Sequence, residues 1–178
     1  MAYDRPPAPG DLALIEGLCN SARFLKREDL LVSLDSARAW ANARDLPGVA
    51  EALDVDSLTW LRRAREAVRG HLEGDREAAG YLTGLSSELL GAPRWGAEGE
   101  IVLPVATEEP VRRVVAEVLS VLAVAELADR RARLKVCRSP ECRWVFYDRS
   151  PAGNGGWCSM EICGARHKMR TYRERRRG

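Results

Sequence analysis

The sequence predicts a mainly α protein in two parts. A helical N-terminal domain over residues 1–133 carries a short β-hairpin, and a small ribbon over residues 134–178 holds four cysteines and leads into a basic C-terminal helix. Three observations carry this reading. Apolar residues recur at spacings of three and four along the first part. Two short apolar segments flank GAEG, a hairpin signal. From Cys137 onward, four cysteines stand in two evenly spaced pairs ahead of an arginine-rich tail.

Taken in order, the first helix is expected over Asp11–Phe24. A second follows the capping residues Ser33 and Asp35 through Ala37, Trp40 and Ala41, and Pro47 and Gly48 break it. A third begins after Asp56, where Leu58, Leu61, Ala64, Val68 and Leu72 form one apolar stripe and arginines fill the other face. The fourth, REAAGYLTGLSSELLG, gathers Ala78, Tyr81, Leu82, Leu85 and Leu89 on one side. Two strands are then expected in RWGAEGEIVLPV. The strongest helix signal follows: Thr107 can cap it, Glu108 and Glu109 suit the positive end of its dipole, and Pro110 is tolerated in its first turn. Its valine-rich face needs tertiary burial, and Arg130, Arg131 and Arg133 are read as a cationic last turn.

Composition narrows the function classes. Hydrophobic content of 46% and charged content of 30% suit a soluble globular chain, and no apolar run reaches the roughly 20 residues that span a bilayer. The first residues lack the basic and long apolar regions of a secretory signal, so a cytoplasmic protein without membrane partners is expected. The net charge of +2 hides an asymmetry. Residues 1–129 carry 14 Lys+Arg against 22 Asp+Glu, a net of −8, whereas residues 130–178 carry 14 against 4, a net of +10. A cationic end on an acidic body suits an anionic partner such as nucleic acid.

The four clustered cysteines read C-x4-C, fifteen residues, C-x4-C. In a reducing compartment such a pattern points to metal before disulfides. Cys137, Cys142, Cys158 and Cys163 supply a complete tetrahedral shell for one structural Zn2+; an iron–sulfur cluster or chance clustering are the alternatives. A filled shell leaves no open position, which favours structure over catalysis. His167, four residues after Cys163, could replace one thiolate, although four cysteines already suffice. Cys19, among apolar residues, is read as a buried thiol. Between the pairs, RWVFYDRS reads as a strand and SPAGNGG as a turn-rich loop. Ser159 can cap the last helix, which carries Arg166, Lys168, Arg170, Arg173, Arg175, Arg176 and Arg177 against Glu174 alone.

The residues Cys137 and Cys142, Trp144-Val-Phe-Tyr-Asp148, Ser150, Trp157-Cys-Ser-Met-Glu, Cys163-Gly, Arg166 and Lys168 resemble the bacterial CGNR zinc finger over roughly residues 134–172. LALIEGLCNSA, DLLVSLDSARAWA and LRRAREAVRGHLEG resemble the ABATE domain that stands before such fingers. The resemblance implies stress-induced transcription regulators, with zinc on the four cysteines and DNA contacted by Arg166 and Lys168. Two departures stand out: Ala165 replaces the Asn of the family motif, and Gly155 and Gly156 replace the arginines usual before WCSM.

The expected function is therefore that of a zinc-dependent, DNA-binding transcription regulator associated with the bacterial nucleoid. Arg143, Arg149, Arg166, Lys168, Arg170 and Arg173 are its candidate nucleic-acid contacts. The N-terminal domain would sense a small-molecule effector or form a homodimer. The alternative is a zinc-stabilised module that meets protein or RNA and reads no operator. No enzyme is expected: outside the finger the only histidine is His71, and the carboxylates are scattered. Two separate cores are expected, so that loss of a cysteine such as Cys158 unfolds only the C-terminal part.

Overall fold

The computed structural model describes residues 5–176, and Arg177 lies outside them. Helix α1, Leu12–Cys19, is followed by a two-residue antiparallel pair, β1 at Ala22–Arg23 with β2 at Glu28–Asp29. Then come α2 at Leu34–Asn42, the short α3 at Val49–Ala52, α4 at Val55–Glu73 and α5 at Arg76–Leu89. The expected hairpin follows, with β3 at Arg94–Trp95 paired to β4 at Ile101–Val102, and then α6 at Pro110–Leu127. The C-terminal part consists of β5 at Leu134–Val136, β6 at Val145–Tyr147, a π-helical turn at Met160–Gly164 and α7 at Ala165–Arg175. The chain is mainly α, and the three sheets among the described residues have two strands each. No helix among the described residues is long and apolar enough to cross a membrane.

Local chemistry sets the helix ends. Ser33 and Ser36 form a reciprocal capping box at α2, and Asp54 and Ser57 do the same at α4. Gly74 closes α4 in the left-handed conformation at φ 88°, which favours glycine. At α6 the cap is Glu109, whose carboxylate accepts from the amides of Val111 and Arg112; Thr107, the expected cap, instead accepts from Glu109 N at 3.3 Å. Helix α1 stops at Cys19, short of the expected Phe24, because Asn20 is needed elsewhere and Ser21 bonds back to Leu18 O at 2.8 Å.

The core lies between α1, α4, α5 and α6, where Ile15, Leu61, Val68, Leu89, Val111, Val115 and Leu119 are buried. The expected α4 stripe of Leu58, Leu61, Ala64, Val68 and Leu72 is buried throughout. Two of the α4 arginines also turn inward: Arg65 is 3% exposed and Arg69 0%. Arg65 makes a bidentate pair with Asp29, at 2.6 and 2.9 Å, while Arg69 pairs with Glu66 and donates to the Cys19 carbonyl. Burial works to raise the Asp29 pKa, but the Arg65 hydrogen bonds outweigh it and hold the carboxyl below its ordinary 3.8. Cys19 is fully buried as expected, and that burial pushes its thiol up to about 12.

Arg130, Arg131 and Arg133 lie beyond the end of α6, not in its last turn. Arg130 makes a bidentate pair with Asp11, Arg131 binds Glu126 and the His71 carbonyl, and Arg133 binds the Asp148 and Ser150 carbonyls. The segment after α6 thus staples the two parts together.

Two buried clusters are present, and the ribbon takes part in both. Alternation along β6 sends Val145 into the helical core and Phe146 into a second cluster around the cysteines. Leu134 of β5 also belongs to the helical core. The Asn20 side chain pairs with Val145 as a strand would: it accepts from Val145 N at 2.9 Å and donates to Val145 O at 2.8 Å. Asn20→Ala leaves both backbone groups buried and unpaired, and should cost about 2–4 kcal/mol in a denaturant titration of the zinc-loaded chain.

Candidate metal centre and the basic helix

Each cysteine is held by a different local device. Cys137 follows β5, and its amide donates to Trp144 O at 2.9 Å. Cys142 sits in a tight turn in which the amides of Cys142 and Arg143 both donate to Ser139 O, and Arg143 takes the left-handed conformation at φ 47°. Cys158 follows the loop that returns from β6. Cys163 lies in the π-helical turn, whose first amides are satisfied by Ser159: its hydroxyl accepts from Ile162 N, and its carbonyl from Cys163 N and Gly164 N.

The four sulfurs converge to within 4.8 Å of one another, and all four residues are buried. The Sγ atoms of Cys142 and Cys158 are 3.5 Å apart, and those of Cys158 and Cys163 3.7 Å. Sulfurs at about 2.3 Å from a tetrahedral zinc stand about 3.8 Å apart, so this set fits the ion. Without a cation the thiols oppose one another's ionisation: hydrogen bonds from Cys142 and Cys158 pull Cys137 down, and the contact with Cys137 pushes Cys142 up. A divalent soft cation removes this conflict, and Cys137, Cys142, Cys158 and Cys163 are the residues that hold one structural zinc. The ion supplies folding energy, because the apolar support around it is small: Phe146 is buried, with Leu25, Trp144, Trp157 and Ile162 partly buried. His167 is not in the cluster. Its ring stacks on Trp157 with centroids 4.7 Å apart.

Within RWVFYDRS, Val145–Tyr147 forms the strand, which pairs with β5, upstream of Cys137, and a loop follows it. That loop is organised by Asp148, 2% exposed, whose carboxylate accepts from Ser150 N at 3.0 Å and Gly155 N at 2.7 Å. Burial acts to raise its pKa, and these amides outweigh it and keep the carboxyl low. The same contact explains Gly155. A Cβ there would lie 2.9 Å from the Asp148 carboxyl carbon, whereas one on Gly156 would meet only the Arg138 side chain, which can move. Gly155→Arg should destabilise the finger by about 1–3 kcal/mol, and Gly156→Arg should leave it folded; thermal melts with zinc distinguish the two.

The candidate nucleic-acid contacts fall into two groups. Arg143 makes a bidentate pair with Glu73 at 2.9 and 2.6 Å, and with Arg69 it flanks the Phe24 ring. Arg149 donates to the carbonyls of Pro6 and Pro7 at 3.1 and 2.6 Å. Both serve the link to the helical body. Arg166, Lys168, Arg170 and Arg173 are exposed on α7 and have no ion-pair partner among the described residues. Arg166, Arg170 and Arg173 share one face at i, i+4 and i+7. Beside that face runs a groove of about 800 Å³, in which the three arginines alternate with Glu141, Glu161 and Glu174, and Trp157 and Ile162 supply apolar surface.

Sequence reasoning missed Asn20, Glu73 and Asp148. Only Asp148 carried a local signal, since Asp-x-Ser is the pattern of a side chain that caps its own turn.

Residues 133–176, about a quarter of the chain, match the family model of the CGNR zinc finger. No curated protein matches the chain.

Proposed function

We propose that this protein is a DNA-binding transcription regulator in which zinc fixes the finger and α7 makes the contact. The observation that carries the reading is the state of α7: six arginines and lysines against Glu174 alone over Ala165–Arg176, exposed, without ion-pair partners among the described residues, and continuous with the turn that holds Cys163. The centre makes no bond to the target, but it sets the position from which the helix projects. An exposed helix of 11 residues fits a major groove, where arginines reach phosphates and guanine edges. The acidic body is repelled by the same polyanion, so the two charges orient the molecule. On this reading the helical part has the regulatory role expected of an ABATE domain, through an effector or a second copy of the chain, in a bacterial cytoplasm.

A second reading has its own support. The groove beside α7 mixes three arginines with three glutamates and two apolar side chains, which suits a protein partner of mixed charge. Selection from random duplex DNA with the zinc-loaded full chain separates them. Recovery of a shared sequence supports the regulator; weak and unselective DNA binding beside a tight protein complex supports the interaction module.

A further inference from the structure

A second cavity, distant in sequence from the cysteines, lies between α1, α2 and α6. It measures about 200 Å³ and is walled by Leu14, Leu46, Val114 and Val118, with Trp40, Arg44 and Glu117 also lining it. Leu14 is 43% exposed, so the apolar wall is open to solvent on one side. Two of the polar groups lack partners. The Trp40 side chain is 4% exposed, and its indole Nε1–H is buried with no acceptor. The Arg44 guanidinium stacks on the Trp40 ring at 4.9 Å and has no carboxylate within ion-pair distance among the described residues. Glu117, the acid on the wall, is already held by Arg113 at 3.2 Å. A cation without an anion at the rim of an apolar pocket is the complement of one kind of molecule.

The geometry points to a binding site for a small apolar carboxylate: the ring or short chain fills the pocket, and the carboxylate meets Arg44 at its rim. The size agrees, because a cavity of about 150 Å³ accepts a benzene ring, and this one leaves space for the acid group. Arg44 itself is exposed, and partial desolvation, followed by the charge of Arg23, lowers its pKa, a direction that a bound anion opposes. The inference gives a chemical class to the effector expected of the helical part. It stands or falls separately from DNA binding, because it is read on the protein alone.

The test uses the zinc-loaded full chain, calorimetry and thermal melts, with benzoate and phenylacetate as probes and benzylamine and toluene as controls. The carboxylates should bind and raise the melting temperature, and the amine should not. Arg44→Gln should weaken benzoate at least about tenfold, the usual effect of losing a charged partner to a carboxylate. Val114→Phe, on the half-buried rim, fills the pocket and should abolish binding. The proposal is overturned if neither carboxylate binds at millimolar concentration, if toluene binds as tightly as benzoate, or if the folded Arg44→Gln and Val114→Phe proteins bind benzoate unchanged.

Discussion

Chelating the metal, or replacing Cys158 by Ser, should lower the melting temperature of the whole chain by about 10–20 °C and not only unfold the finger. Loss of one thiolate opens the tetrahedral shell, and structural zinc contributes on the order of 10–16 kcal/mol to such a fold. The ribbon then releases Leu134 and Val145 from the helical core and strips Asn20 of both hydrogen bonds. Burial of two such side chains, with the Asn20 pair, is worth about 4–6 kcal/mol to the body. In a chain of this size each kcal/mol shifts the melting point by about 2–4 °C. Circular dichroism at 222 nm with and without chelator provides the check. A body that melts at the same temperature in both conditions would show that the ribbon contributes nothing to it, despite the shared packing.

Replacing Arg166, Arg170 and Arg173 together with Gln should cost the protein most of its affinity for duplex DNA and most of its salt dependence. If each arginine neutralises one phosphate, the three contribute about −2.7 to the slope of log affinity against log salt. Over a fourfold rise in salt, for example from about 50 to 200 mM, that slope amounts to about fortyfold in affinity. The substituted protein should show a slope shallower by that amount and retain its zinc, since none of the three approaches the sulfurs as a ligand. Arg143→Gln is the informative contrast. Its guanidinium is held by Glu73, so it should reduce stability and leave the slope nearly unchanged. Binding without salt dependence in the parent protein would sink the electrostatic reading of α7.

The parts that were legible in the sequence are those written in local pattern. The α4 and α5 stripes, the hairpin around GAEG and the four-cysteine spacing each declare themselves within about 30 residues, by period or by ligand chemistry. What could not be read depends on residues that meet only after folding. Arg65 and Arg69 look like any solvated arginines on a helix, and beyond the local Glu66 it is the approach of Asp29 and of the Cys19 carbonyl that makes their burial tolerable. Arg143 and Arg149 sit in a cationic stretch and read as phosphate contacts for the same reason: their partners, Glu73 and the carbonyls of Pro6 and Pro7, are far away in the chain. The α7 arginines have no such partners among the described residues.

The bond between Asn20 and Val145 spans 125 residues, which bears on the order of events during synthesis. A nascent chain has α1 and α4 outside the ribosome while β6 is still being made, and local helices form far faster than a loop of that length closes. Until then the end of α1 presents an unpaired amide beside apolar side chains that the ribbon will later cover. The last step is therefore docking of the ribbon, which is in turn timed by capture of the ion. Zinc supply during translation should thus govern how long the nearly finished chain remains open to aggregation.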